Sequence, residues 1–145
     1  MLMTMHRVAH AIYKRRIPVI PRLIYVLQYL VSNSAVPPST KIGKRTKFAY
    51  RGIGVVIHKE AIIGDDCMIG QGMTIGGRSK HIEVPIIGNN VYMGAGSRVL
   101  GPIKIGNNVI IGPNAVVLSD LPDNCIAVGI PARIIKENVN VNDFI

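Results

Sequence analysis

The segment Ile57 to Gly76, IHKEAIIGDDCMIGQGMTIG, decides the fold, because an aliphatic residue stands at every sixth position: Ile57, Ile63, Ile69 and Ile75. The same phase continues through Ile87, Met93, Val99, Ile105, Ile111 and Val117, and only position 81 misses. Glycine follows directly at Gly64, Gly70, Gly76, Gly88, Gly94, Gly106 and Gly112. A small or medium residue sits four places after the aliphatic one, as at Ala61, Cys67, Ser97, Val109 and Ala115. A period of six is neither the 3.6 of a helix nor the 2 of an ordinary strand, so each hexad reads as one short strand and one turn. Three hexads make an 18-residue coil, and one coil alone cannot bury its aliphatic residues. The expected fold is therefore an all-β solenoid, a left-handed parallel β-helix in which like residues stack about 4.8 Å apart.

Working outward, RSKHIEVPI at Arg78 to Ile86 departs from the pattern and reads as a loop extruded from a corner. If its base kept the coil phase, Lys80 and Arg98 would stack. Upstream, Ile42-Gly43 and Phe48 suggest an incomplete first coil, with about three extra residues around Tyr50-Arg51-Gly52. Residues 4–15 and 21–32 read as two short helices split by Pro18 and Pro21. The resulting division is a helical cap at 1–36, the β-helix at 37–136 with its loop at 78–86, and a loosely held tail at 137–145.

Composition narrows the function classes. The chain has 145 residues, enough for one domain, and its 5% aromatic content with no Trp suits a thin aliphatic core. Net charge is +9, and no Asp or Glu precedes Glu60. Without a recognition helix or an aromatic ladder among the basic residues, this surplus suits a small anionic ligand, an acidic glycan or an anionic membrane face rather than nucleic acid. Cys67 and Cys125 are isolated, which reads as buried reduced thiols and a cytoplasmic chain. The apolar run Leu23 to Val31 is too short to span a bilayer, while peripheral membrane contact stays open. His6 and His10 have metal-compatible i, i+4 spacing but no third ligand, so no metal is expected.

The segments GVVIHKEAIIG, Gln71 to Gly77, Ile87 to Gly96 and VGIPARIIK at Val128 to Lys136 resemble the hexapeptide-repeat acyltransferases, in the serine O-acetyltransferase-like branch that includes polysaccharide O-acetyltransferases. The resemblance implies an acetyl-CoA-dependent O-acetyltransferase, a homotrimer with active sites in clefts between subunits, and CoA lying along the coils. Serine acetyltransferases carry an Asp-His pair just before the GIVIG-like stretch, where this chain has Tyr50 and Arg51. The expected acceptor is therefore a sugar, polysaccharide precursor or related small hydroxyl compound, with serine as the alternative.

His58 replaces the usual turn glycine after Ile57, and Gly76 lies 18 residues on. It is the candidate general base, with His81 in the loop as rival or partner and a solvated corner histidine as the plain structural reading. For CoA, the backbone and small side chains of Gly76, Gly77, Gly94, Ala95, Gly96, Gly112 and Ala115 are the candidates. Arg98, Lys104, Arg133 and Lys136 are candidates for its phosphates. Cys67 falls in an inward slot and is assigned to the core rather than to nucleophilic chemistry. Two other classes fit the same solenoid: a γ-type carbonic anhydrase, which needs three histidines around zinc, and a non-catalytic scaffold.

Overall fold

The computed structural model describes residues 1–144. Helices α1 (Leu2–Lys14) and α2 (Val19–Ser32) precede the strands β1 (Lys41–Ile42), β2 (Lys47–Phe48), β3 (Val56–Ile57), β4 (Ile62–Ile63) and β5 (Met68–Ile69). Then follow β6 (Thr74–Gly76), β7 (Ile86–Ile87), β8 (Tyr92–Met93), β9 (Arg98–Leu100) and β10 (Lys104–Ile105). The coil closes with β11 (Ile110–Ile111), β12 (Val116–Val117), β13 (Cys125–Gly129) and β14 (Ala132–Glu137).

The strands form three sheets, ordered β1-β4-β7-β10 on the first face, β2-β5-β8-β11-β13-β14 on the second and β3-β6-β9-β12 on the third. All pairings are parallel except β13 with β14. The chain is thus a left-handed parallel β-helix, and the six-residue period is the walk from one face to the next. Each two-residue strand points its first side chain out and its second in, as with exposed Ile62 and buried Ile63. Ile57, Ile63, Ile69, Ile75, Ile87, Met93, Val99, Ile105, Ile111 and Val117 all join one core cluster. Cys67 belongs to it too, and its burial pushes the thiol pKa up, which suits packing rather than nucleophilic attack.

Register shows where the period is broken. Lys41 pairs with Ile62, 21 residues on, because Ala49–Gly52 forms an extra 3₁₀ turn. Val56 pairs with Thr74, 18 on. Ile62 pairs with Ile86 and Thr74 with Arg98, each 24 on, because the 78–85 excursion adds six residues. That excursion removes the expected stacking of Lys80 on Arg98, since Arg98 sits beside Thr74 and Val116 instead. The first coil is also fuller than expected, with a strand on each of its three faces.

At the corner between the first and second faces, side-chain oxygens replace missing backbone partners. The backbone N–H groups of Lys44, Asp65, Asn89 and Asn107 donate to Asp65, Asn89, Asn107 and Asp123 Oδ1, at 2.7, 2.8, 2.7 and 2.7 Å. The next residues, Asp66, Asn90, Asn108 and Asn124, take left-handed φ near +55°, which Asn and Asp tolerate best.

The tail is anchored within 138–144: Val141 is fully buried and Val139 nearly so, and Val139 N–H donates to Asn124 O, while Ile145 lies outside the described residues. At the other end α1 packs on α2 and on the 49–52 turn, where Gly52, at φ +82°, leaves room for Leu2. No helix among the described residues is long and apolar enough to cross a membrane.

Candidate functional site at two rims of the third face

The third face is bounded by two corners, and the candidate residues divide between them. His58, Gly76 and Gly77 with the following loop leave β3 and β6 at the third-to-first corner. His58 N–H donates to Ile75 O at 2.8 Å, which puts it one coil below Gly76. His81 stands exposed in the same loop, its N–H donating to Arg78 O at 3.0 Å. His58 and His81 therefore share a rim.

The His58 ring is half-buried, and its Nδ1 accepts from the Glu60 backbone N–H at 3.2 Å. In a neutral imidazole that acceptor role puts the proton on Nε2. In that tautomer the other ring nitrogen carries the proton, so the ring must turn away from Glu60 to free a basic nitrogen. Thr40 and Ser39 brace this turn, the Thr40 hydroxyl donating to His58 O at 3.2 Å and the Ser39 hydroxyl to Lys59 O at 3.1 Å. Neither was singled out from the sequence, although Thr40 lies one 18-residue coil before His58.

Glycines expected to line a CoA path differ in why they are glycine. A side chain at Gly94 would come within 2.7 Å of Gly112 C, one at Gly112 within 2.7 Å of Val128 Cγ1, and one at Gly96 would collide with Asn114. Coil packing alone accounts for those three. At Gly76 and Gly77 the nearest atoms to an added Cβ are at 3.6 and 3.8 Å, ordinary contact distances. Packing does not demand glycine at either position beside His58. A groove of about 370 Å³ flanks this corner, lined by Glu83, Val84, Ile86, Pro102, Ile103 and Lys104.

Gly94, Ala95, Gly96, Gly112 and Ala115 lie at the other rim, the second-to-third corner, with Tyr50 and Arg51. Ala115 is wholly buried in the core and cannot touch a ligand, which corrects its expected role. Tyr50 is 75% exposed, and both it and Arg51 are held at left-handed φ of 45° and 62°. The phosphate candidates are not brought together: Arg98 is on the third face, Lys104 on the first, and Arg133 and Lys136 on β14 beyond the last coil. The Lys136 ammonium lies 5.1 Å from the Phe144 ring centroid. His6 and His10 stack at 5.8 Å, with His10 Nδ1 donating to Pro38 O at 2.7 Å. No group of three His, Cys, Asp or Glu side chains suited to a metal occurs among the described residues.

Residues 85–119 match the family model described as bacterial transferase hexapeptide (six repeats). The chain is 47% identical over 132 residues to the serine acetyltransferase of Synechococcus elongatus, covering 90% of this chain and 54% of that protein. With the serine acetyltransferase of Helicobacter pylori identity is 44% over 135 residues, covering 92% of this chain and 78% of that protein. Among solved structures, serine acetyltransferase in complex with coenzyme A from Brucella abortus matches with a TM-score of 0.88 and 30% identity, over 93% of this chain and 54% of that one. The chain thus spans about half the length of several relatives it matches. By sequence, by repeat and by fold, the chain belongs to the serine acetyltransferase family of hexapeptide-repeat transferases.

Proposed function

We propose that this protein is an acetyl-CoA-dependent O-acetyltransferase whose acceptor is the hydroxyl of serine. The carrying observation is the bare Gly76-Gly77 backbone one coil above His58, a place where packing needs no glycine and a titratable ring is at hand. Serine enters from the names of the relatives, and it is favoured over the sugar acceptor first expected from the sequence.

In this reading the His58 ring turns from Glu60, and its freed nitrogen takes the proton of the acceptor hydroxyl as that oxygen attacks the thioester carbonyl. The C–S bond breaks, the acetyl group ends on oxygen, and the CoA thiolate takes up a proton. No acyl-enzyme is formed. His81 orients the acceptor from the loop. The phosphates of acetyl-CoA meet Arg98 and, from the adjoining copy, Lys104, and its pantetheine arm runs along the partly exposed Ala95 and Gly96, while buried Gly94 and Gly112 serve coil packing; Arg133 and Lys136 are too far along the solenoid to be needed.

The two rims lie on opposite edges of the third face, so one chain does not gather the whole set. A homotrimer, in which the His58 rim of one copy meets the Tyr50 rim of the next, supplies both halves. A cytoplasmic location, where acetyl-CoA and reduced thiols coexist, belongs to the same reading.

One observation favours a second acceptor class. Tyr50 and Arg51 stand where the family's Asp-His pair is expected, which suits a sugar hydroxyl recognised differently from serine. Thiol release from acetyl-CoA, measured against serine, hexoses, sialic acids and capsule oligosaccharides, decides between them. Serine is expected to give the highest kcat/KM. A hexose or glycan turning over tenfold faster than serine supports the second reading, and no thiol release with any acceptor rejects both.

A further inference from the structure

Helix α2 is built inside out. Its buried residues are Pro21, Gln28 and Ser32, and the buried Gln28 amide and Ser32 hydroxyl have no hydrogen-bond partner among the described residues. Its outward side is apolar: Val19 is 63% exposed, Leu23 63%, Val26 49%, Leu27 49%, Leu30 74% and Val31 51%. At 100° per residue these six positions fall within one stripe of roughly 140°, opposite Gln28. An ordinary surface helix of a soluble chain has the reverse arrangement, and a contiguous apolar face of this kind marks a contact with something else.

The surrounding charge says what that something is. Lys14, Arg15, Arg16 and Arg22 cluster around the turn that leads into α2, all exposed, and no acidic residue occurs in the first 59 positions. A second copy placed symmetrically on this face would set the same cations against one another, with Glu60, which shares a groove with Tyr13, too little to balance four of them. An anionic surface with an apolar interior satisfies both features. A helix of 14 residues is too short to cross a bilayer but long enough to lie in its interface.

We propose that the outward face of α2, with the basic turn before it, docks on an anionic lipid bilayer, the helix lying in the plane of the membrane. Leu23, Leu27 and Leu30 enter the acyl boundary, and Arg15, Arg16 and Arg22 meet the lipid phosphates. This surface lies on the helical cap, and at its edge Arg22 shares a groove with Ser39 and Lys59, next to His58.

The test is flotation of the full chain with vesicles of equal parts phosphatidylglycerol and phosphatidylcholine, beside pure phosphatidylcholine, with light scattering of the vesicle-free protein in parallel. The wild type is expected to float with the anionic vesicles at low salt, and to be released at roughly 0.5 M salt, where the Debye length falls to about 4 Å. Both Leu23→Glu/Leu30→Glu and Arg15→Gln/Arg16→Gln are expected to weaken partitioning roughly tenfold or more with unchanged circular dichroism. The second pair changes only exposed residues at a helix end, so it remains informative if the first disturbs folding. A wild type that stays in the aqueous phase with anionic vesicles overturns the proposal. So does a Leu23→Glu/Leu30→Glu variant that floats like wild type but falls to a smaller species in solution, which assigns the face to contacts between copies.

Discussion

At the scale of single residues, His58 has two separable jobs. Its Nδ1 accepts from the Glu60 N–H, which holds a corner, and in the proposed reaction its ring moves a proton. His58→Asn retains a side-chain oxygen able to take the Glu60 N–H, whereas His58→Ala retains neither job. Both are expected to lower turnover by roughly 10²- to 10⁴-fold, while only the alanine variant loses stability, by about 0.5–1 kcal/mol at this partly exposed site. Thiol-release kinetics and urea denaturation read the two effects separately. An asparagine variant with more than half the wild-type turnover, against an inactive His81→Ala, moves the base to the loop. His6 offers a second residue-scale test. Burial, then the neighbouring His10, lowers its pKa to about 4 from the ordinary 6.5. A proton therefore binds the unfolded chain first, so the stability tied to neutral His6 is full above pH 6.5 and is lost as pH falls toward 4. The difference in unfolding free energy between wild type and His6→Leu is expected to change by about 3 kcal/mol across that window. A flat difference means the ring gains a partner in solution.

At the scale of elements, the corner ladder is what allows strands of two residues to stack. Each Asp or Asn at positions 65, 89, 107 and 123 takes a backbone N–H from the coil below, so each coil end is tied by a side chain rather than by a longer strand. Asn107→Ala leaves the Asn89 N–H without its protein partner. The corner is exposed, so water compensates in part, and a loss of about 1 kcal/mol is expected by urea denaturation. The equivalent change at Asn142, whose side chain makes no such bond among those described, is expected to cost less than about 0.5 kcal/mol.

At the scale of the molecule, the proposed reading makes assembly a condition of activity, because the candidate site is divided between two rims. The outward rows also carry apolar residues, Val56 at 45%, Ile62 at 37% and Ile86 at 43% exposure, which a neighbouring copy would cover. Multi-angle light scattering at micromolar concentration is expected to give a mass three times the 15.7 kDa chain. A stable monomer that turns over acetyl-CoA would overturn the shared-site arrangement. Ile86→Lys, which places a charge on the outward row without touching the core, is expected to lower trimer content and kcat/KM together.

The repeat was legible because its cause is local: every sixth residue must face inward, so Ile57 to Val117 announced the coil, its corners and the pairing of His58 with Gly76 with no knowledge of the third dimension. The helices were legible for the same reason, through Pro18 and Pro21. What escaped depended on register summed over several coils. Six extra residues in the loop kept the phase of the hexads yet shifted every pairing across it to 24, so Lys80 and Arg98 parted. Ala115 and Gly112 looked open to a ligand because a sequence does not tell an inward slot near a corner from an outward one. The tail had no period, and its burial through Val139 and Val141 comes from packing on a coil finished about 20 residues earlier. The inverted face of α2 was equally hidden, since an apolar helix looks ready for a core until the tertiary structure presents Gln28 and Ser32 to it instead. Hydrophobic period is a property of neighbours along the chain and is fixed by composition and spacing. The choice of which rim, which coil and which side of a helix meets solvent is made by contacts between distant segments, and only the folded molecule contains those.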